Sequence, residues 1–230
     1  MWVADQKTMR GDWKITVTAR SAEDTEQVIA GAMVTATTGE IEVKGTTNAA
    51  GVAVLDVELS GLYTIKVEAN GYIDGERSAF VTNSVKYNTK VMVALSPNLE
   101  RGSVRMILAW NESPEDMDLH TYQVDTQTSR SCHTFWRNRN TCASTGVKLD
   151  LDNKKGGNNG VETITLSDVA ANNANTYMVW VEDSGRGDAT LGESGSQVTI
   201  TDGINTHIAH MPELGDDTPA GVRYLSLIHI

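Results

Sequence analysis

Apolar side chains recur at every second position through most of this chain, in short runs broken by turn residues. The first clear run, Trp13-Lys-Ile-Thr-Val-Thr-Ala, puts Trp13, Ile15 and Val17 on one face of an extended segment. Similar runs occupy 32–37, 51–57, 61–69, 77–82 and 89–95, then 103–110, 117–124, 161–166, 176–182, 197–200 and 206–211. Between the early runs lie Thr38-Gly39, Asn48-Ala-Ala-Gly51, Ser60-Gly61 and Asn70-Gly71. These residues suit tight turns, because Gly tolerates unusual backbone angles and Asn hydrogen-bonds its own main chain. Short strands with turns at this spacing predict an all-β chain built as antiparallel β-sandwiches.

At 230 residues the chain is long enough to bury two cores. Ser96-Pro97-Asn98 closes the first series of strands, and Leu99-Glu-Arg-Gly102 is a short polar linker. The expected organisation is an N-terminal extension over 1–11, a sandwich over 12–97, a linker over 98–102, a second sandwich over 103–212 and a disordered tail over 213–230. Residues 1–11 lack the charged and apolar regions of a signal peptide, so the chain is expected to be a piece of a longer protein. The closing Leu225-Ser-Leu-Ile-His-Ile reads as a translated sequencing-adapter remnant, outside the fold.

A formal net charge of −11 excludes a general binder of phosphate backbones, which needs a basic footprint. The acidic residues are scattered rather than blocked, which suits solubility and a calcium-rich environment. No apolar run is long enough to span a membrane as a helix. Cys132 and Cys142 flank a polar, turn-forming segment, so they read either as one disulfide closing a short loop or as two buried thiols. A CxxC pair is absent, and with it the pattern of a zinc knuckle or a thioredoxin-type site.

Four blocks of the first half occur together: Gly31-Ala-Met-Val-Thr-Ala, Thr46-Thr-Asn-Ala-Ala-Gly-Val-Ala, Gly61-Leu-Tyr-Thr-Ile-Lys-Val and Glu68-Ala-Asn-Gly-Tyr72. In this order they resemble the carboxypeptidase regulatory-like family over about residues 12–97. The resemblance implies a transthyretin-like (prealbumin-like) β-sandwich and a non-catalytic spacer or adhesion module. It implies no peptidase activity, because that module accompanies peptidases without containing their zinc site.

In the second half, Trp110 is followed by Asp116-Met-Asp-Leu-His120, Phe135-Trp-Arg-Asn-Arg-Asn140, Lys148-Leu-Asp-Leu-Asp152 and Gly160-Val-Glu-Thr-Ile-Thr-Leu166. This series resembles the YfaP-like secreted domains over about 103–212. Met117 stands where that pattern has Leu, and Val161 where it has Pro. The resemblance implies a fold and an extracytoplasmic location, with no activity attached.

The side chains able to carry chemistry gather in this second half. Alternation places Asp116, Asp118 and His120 on one face of a strand, with Met117 and Leu119 on the other. Asp150, Asp152 and Asn153 make a second oxygen-rich cluster, followed by Glu162. Carboxylates and carbonyls from two such clusters suit Ca²⁺. The competing readings are an Asp118–His120 pair, or pairing with the Arg137 and Arg139 region, that fixes a hairpin. A transition-metal or catalytic centre at His120 and the carboxylates is a further one.

Phe135, Trp136, Arg137 and Arg139 could stack on a sugar ring or a peptide, or could instead cover a sandwich edge. His207-x-x-His210-x-x-Glu213 mimics a metalloprotease string, but in a strand its two His point to opposite faces. Arg186-Gly187-Asp188 sits in a Gly-rich turn that could be displayed to a receptor, and Asn111-Glu-Ser113 is a glycosylation acceptor pattern. There is no nucleophile elbow, P-loop or dinucleotide fingerprint. The expected function is therefore a non-catalytic binding, adhesion or structural segment of a larger secreted or surface protein, with a glycan or protein partner. A carbohydrate-binding module attached to a secreted enzyme is the alternative, and a metal-dependent hydrolase a further one.

Overall fold

The computed structural model describes residues 10–82, 88–111, 114–125, 131–140, 142, 146–154, 160–167, 169, 175–184, 194–210 and 224–228. The chain divides into two compact units, Met1–Pro97 and Asn98–Ile230. The segment expected as a linker thus belongs to the second unit. Among the described residues every regular element is a strand, and both units are β-sandwiches.

The first unit contains β1 (Arg10–Ser21), β2 (Met33–Thr38), β3 (Ile41–Thr46), β4 (Val52–Leu59), β5 (Gly61–Glu68), β6 (Gly75–Val81) and β7 (Asn88–Leu95). One sheet has the order β4-β1-β7 and the other β3-β2-β5-β6. Trp13, Ile15, Val17 and Ala19 of β1 alternate inward and meet Val34, Ala36, Tyr63, Ile65 and Val67 from the facing sheet. Asn48 builds the turn into β4: its Oδ1 accepts from the amides of Ala50 and Val52, at 2.9 and 3.1 Å. Gly51 in that turn has φ 72°, and a Cβ there would meet the Ala19 carbonyl oxygen at 2.8 Å, so only glycine fits.

Three features of this unit differ from expectation. β1 and β7 run parallel, against an antiparallel expectation: β4 pairs on one side of β1, β5 and β6 lie in the other sheet, and the chain returns from them along the other side of β1 as β7. β3 is an additional edge strand, and its charged residues, Glu42 and Lys44, form an exposed ion pair with each other. Arg10 and Gly11, expected to precede the sandwich, open β1.

The second unit contains β8 (Val104–Trp110), β9 (Met117–Asp125), β10 (Ser131–Thr134), β11 (Val147–Leu151), β12 (Gly160–Leu166), β13 (Asn175–Asp183), β14 (Gln197–Thr201), β15 (Thr206–His210) and β16 (Tyr224–Ile228). Its sheets are ordered β10-β9-β13-β16 and β11-β12-β8-β14-β15. β8 is central and buried along its whole length. Met106, Leu108 and Trp110 pack with Ile164 and Leu166 of β12 and with Met117, Leu119, Tyr177, Val179 and Val181 of the facing sheet. The Trp110 ring lies over Gly160, where a Cβ would come within 2.2 Å of it, and its Nε1 donates to the Pro114 carbonyl at 3.0 Å.

The tail expected to be disordered contributes β16, which pairs antiparallel with β13. A short apolar, β-prone segment meets the open edge of β13, which favours pairing. Residues 211–223 lie outside the described residues. Among the described residues, no helix is long and apolar enough to cross a membrane.

Candidate metal centre

Three strand ends place carboxylates together. Asp118 is the second residue of β9, Glu162 is near the start of β12, and Asp152 directly follows β11. One carboxylate oxygen from each lies within 4.8 Å of the others. All three are withdrawn from solvent: Asp118 is 3% exposed, Glu162 0%, and the Asp152 side chain 1%.

Glu162 is held by the main chain of the opposite sheet. β10 pairs with β9 only from Thr121 to Val124, so the first residues of β9 have an open edge on that side. The Leu119 amide at that edge donates to Glu162 Oε2 at 2.6 Å. Glu162 Oε1, Asp152 Oδ1 and Asp116 Oδ1 are buried with no hydrogen-bond partner.

Asp152 receives Arg139 Nη2 on its other oxygen, and Lys154 Nζ lies 3.9 Å from that oxygen. Ser184 Oγ donates to Asp118, and the Ser184 amide donates to the Asp116 carbonyl at 3.1 Å.

This crowding shifts protonation. Burial first, then the neighbouring Asp116, Asp152 and Glu182 charges, raise Asp118 to about 6, against the Ser184 hydrogen bond that favours its charged form. Glu162 is pushed well above the usual carboxylate range by burial, opposed by the Leu119 amide. Asp118 and Asp152 raise it further, and Asp152 comes close enough to share a proton with it. Burial and the Asp152 charge also raise Asp116. Like charges this close, with their oxygens facing one another, require a proton or a cation between them.

The other sequence-predicted donors go elsewhere. Asp150 accepts from Thr165 Oγ1 at 2.5 Å and pairs with Lys148 at 3.1 Å, on the outward side of β11. Asn153 directly follows Asp152 at the end of β11. His120 is buried beside it, but its Nδ1 is 3.0 Å from His133 Nε2 and its Nε2 is 3.4 Å from Glu182. Its ring stacks on Trp180, its cross-strand partner, at 4.9 Å and on Phe135 at 5.2 Å. Sequence reasoning missed His133, Trp180, Glu182 and Ser184. Alternation puts Trp180 and Glu182 on one face of β13, but which strand they adjoin depends on long-range pairing.

The predicted stacking group is engaged in internal contacts. Trp136 packs against the core of the second unit, and the Arg137 guanidinium and Lys154 ammonium lie 4.6 and 5.3 Å from its ring centre. Arg139 is paired with Asp152, and Phe135 stacks on His133 at 4.2 Å. Cys132 and Cys142 form a disulfide, closing the loop that carries these residues. His207 and His210 are exposed on the edge strand β15. Residues 186–188 and 213, and two of the three residues of the 111–113 pattern, lie outside the described residues.

No family model and no curated protein matches this chain. Among solved structures, it is similar to the Bacillus anthracis TIE protein at 14% identity, with 88% of this chain and 31% of that chain covered and a TM-score of 0.32. It is also similar to the major pilin SpaD of Corynebacterium diphtheriae at 10% identity, covering 87% and 64% of the two chains, with a TM-score of 0.34. The major pilin subunit BcpA of Bacillus cereus gives 12%, 87% and 67%, and 0.30. The chain thus spans under a third of the length of the TIE protein.

Proposed function

We propose that this chain is a non-catalytic binding, adhesion or structural segment of a larger extracytoplasmic protein, and that its second unit is fastened by Ca²⁺. The observation that carries this reading is the cluster of Asp118, Asp152 and Glu162, with ligand oxygens within 4.8 Å of one another. The donors are all oxygen, the preference of a hard cation; Zn²⁺ or Cu²⁺ sites draw on His and Cys, and none joins this group.

Several further points support the reading. Two of the carboxylates carry buried oxygens without partners, which a cation would satisfy. Burial of the donors argues against a hydrolytic centre, which keeps a ligand position open to substrate. The disulfide fits an oxidising compartment. The sequence resemblances fit the same picture, a carboxypeptidase regulatory-like spacer followed by a YfaP-like secreted domain.

The test is the thermal midpoint of the full chain in millimolar calcium and in excess chelator. A ligand that binds only the folded state raises its stability by RT ln(1 + [L]/Kd). The proposal expects a rise in calcium, absent in equal magnesium, because Mg²⁺ demands a tighter octahedral shell. Equal midpoints in calcium and chelator would sink it.

A further inference from the structure

The fastening carboxylates come from both sheets of the second unit, so occupancy of the site controls more than a local loop. Asp118 belongs to β9 of the four-stranded sheet; Glu162 belongs to β12 of the five-stranded sheet, and Asp152 follows β11 of that same sheet. A hydrogen bond that joins the sheets here, Leu119 N–H to Glu162 Oε2, ends on a member of the cluster. The basic groups at the cluster, Arg139 and Lys154, both sit on Asp152. Among the described residues no ion pair joins Asp118 or Glu162 to a basic group, so their repulsion falls on the junction between the sheets. The first unit holds no comparable group among the described residues. Its core is apolar, and its ion pairs, such as Lys14–Asp56 and Lys66–Asp74, lie on the surface.

We propose that calcium acts as a compartment-dependent latch on the second unit alone. The two sheets are locked at this junction at extracellular calcium levels and loosened at the low calcium of a cytoplasm. This rests on the calcium reading above. Three carboxylates with a half-buried fourth, Asp116, make a modest site of the kind found in extracellular modules, with Kd of roughly 10⁻⁴–10⁻³ M. At ten times Kd the ratio of latched to open molecules rises about elevenfold. An ion bridging the sheets would transmit that factor to the main-chain bonds on either side, and the first unit would not respond.

The experiment is native-state hydrogen exchange on the full chain, titrated with calcium from chelator to about 10 mM, with magnesium as control, alongside calorimetric titration of the same sample. The expected result is about tenfold slower exchange in β9 and β12, including the Leu119 amide, at saturating calcium. Half of the effect should fall between roughly 10⁻⁴ and 10⁻³ M, with β1, β4 and β5 unchanged. Asp152→Asn should remove the response, and Asp118→Asn serves if that variant does not fold. Binding heat without any change in exchange overturns the latch and leaves the site. So does a half-effect at about 10⁻⁸ M calcium or below, where the site would already be filled inside a cell. No binding heat at all overturns the calcium reading itself, and the latch with it.

Discussion

The Leu119 amide, on one sheet of the second unit, donates to the Glu162 carboxylate on the other at 2.6 Å. This bond fills the edge of β9 that β10 leaves open, and it places a buried carboxylate against Asp118 and Asp152. Glu162 therefore has two separable roles, acceptor and charge.

Two substitutions divide those roles. Glu162→Gln keeps an acceptor for the Leu119 amide while removing one of the crowded charges. It should raise the thermal midpoint in chelator by a few degrees and abolish the calcium response. Glu162→Ala leaves the amide unpaired and a space behind it, and should cost about 2–4 kcal/mol in either condition. Thermal unfolding of both variants, with and without calcium, checks the pair. Identical behaviour of Gln and Ala would mean that the charge is irrelevant.

Protons and calcium should compete at this site. The folded state holds the Asp118 carboxyl at about 6, above its ordinary 3.8, and Glu162 is raised as well. Between the unfolded and folded values, the folded chain binds more protons than the unfolded one. Stability without calcium therefore falls as pH rises through that window, and is greater near pH 5 than above pH 7. Calcium reverses the trend by favouring the charged forms. Midpoints across this pH range in chelator and in calcium should cross; parallel curves would count against a shared site.

The disulfide should matter beyond its own loop. Cys132 and Cys142 are ten apart in sequence, and closing a loop of that length stabilises the fold by about 3 kcal/mol in the chain-entropy view. The loop also delivers Arg139 to Asp152, and the Leu149 amide donates to the Arg139 carbonyl at 3.0 Å. A Cys132→Ser, Cys142→Ser double variant should lose about that much stability in the second unit, measured by denaturant unfolding. Its calcium affinity should change as well, because Asp152 loses a fixed partner.

Trp136 reads as a structural residue. One side packs on the core and the other faces Arg137 and Lys154. Trp136→Ala should cost about 2–3 kcal/mol, less than a fully buried Trp. A variant of unchanged stability that lost binding on a glycan array would return this ring to the role of a sugar platform.

Much of this fold was legible in the period-two pattern, because strands such as β1, β4 and β5 bury every second residue in the first core. β3 escaped notice because its alternating Glu and Lys read as loop between two turns. β10 and β11 are short, and the second doubles as the acid-rich stretch. The parallel pairing of β1 with β7 joins residues about seventy apart, which no local pattern encodes.

At the site, the sequence groups Asp118, Asp152 and Glu162 with Asp116, His120, Asp150 and Asn153 as one calcium set, but it does not single out these three. Simple alternation gives Asp150 and Asp152 the same face. A register shift between Leu149 and Leu151 breaks that parity, so Asp150 turns to Thr165 and Lys148 while Asp152 joins the cluster. Glu162 could not be placed from its own strand, since its partner is a main-chain amide of the opposite sheet.

The most direct test of the central claim is calorimetric titration of calcium into the full chain near pH 7.5, after removal of bound ions with chelator. The account predicts a single saturable site with Kd of roughly 10⁻⁴–10⁻³ M, lost in both Glu162→Gln and Asp152→Asn. Absence of binding up to about 10 mM calcium, with no accompanying rise in thermal midpoint, would contradict it and leave a shared proton between Asp152 and Glu162 as what holds the cluster together.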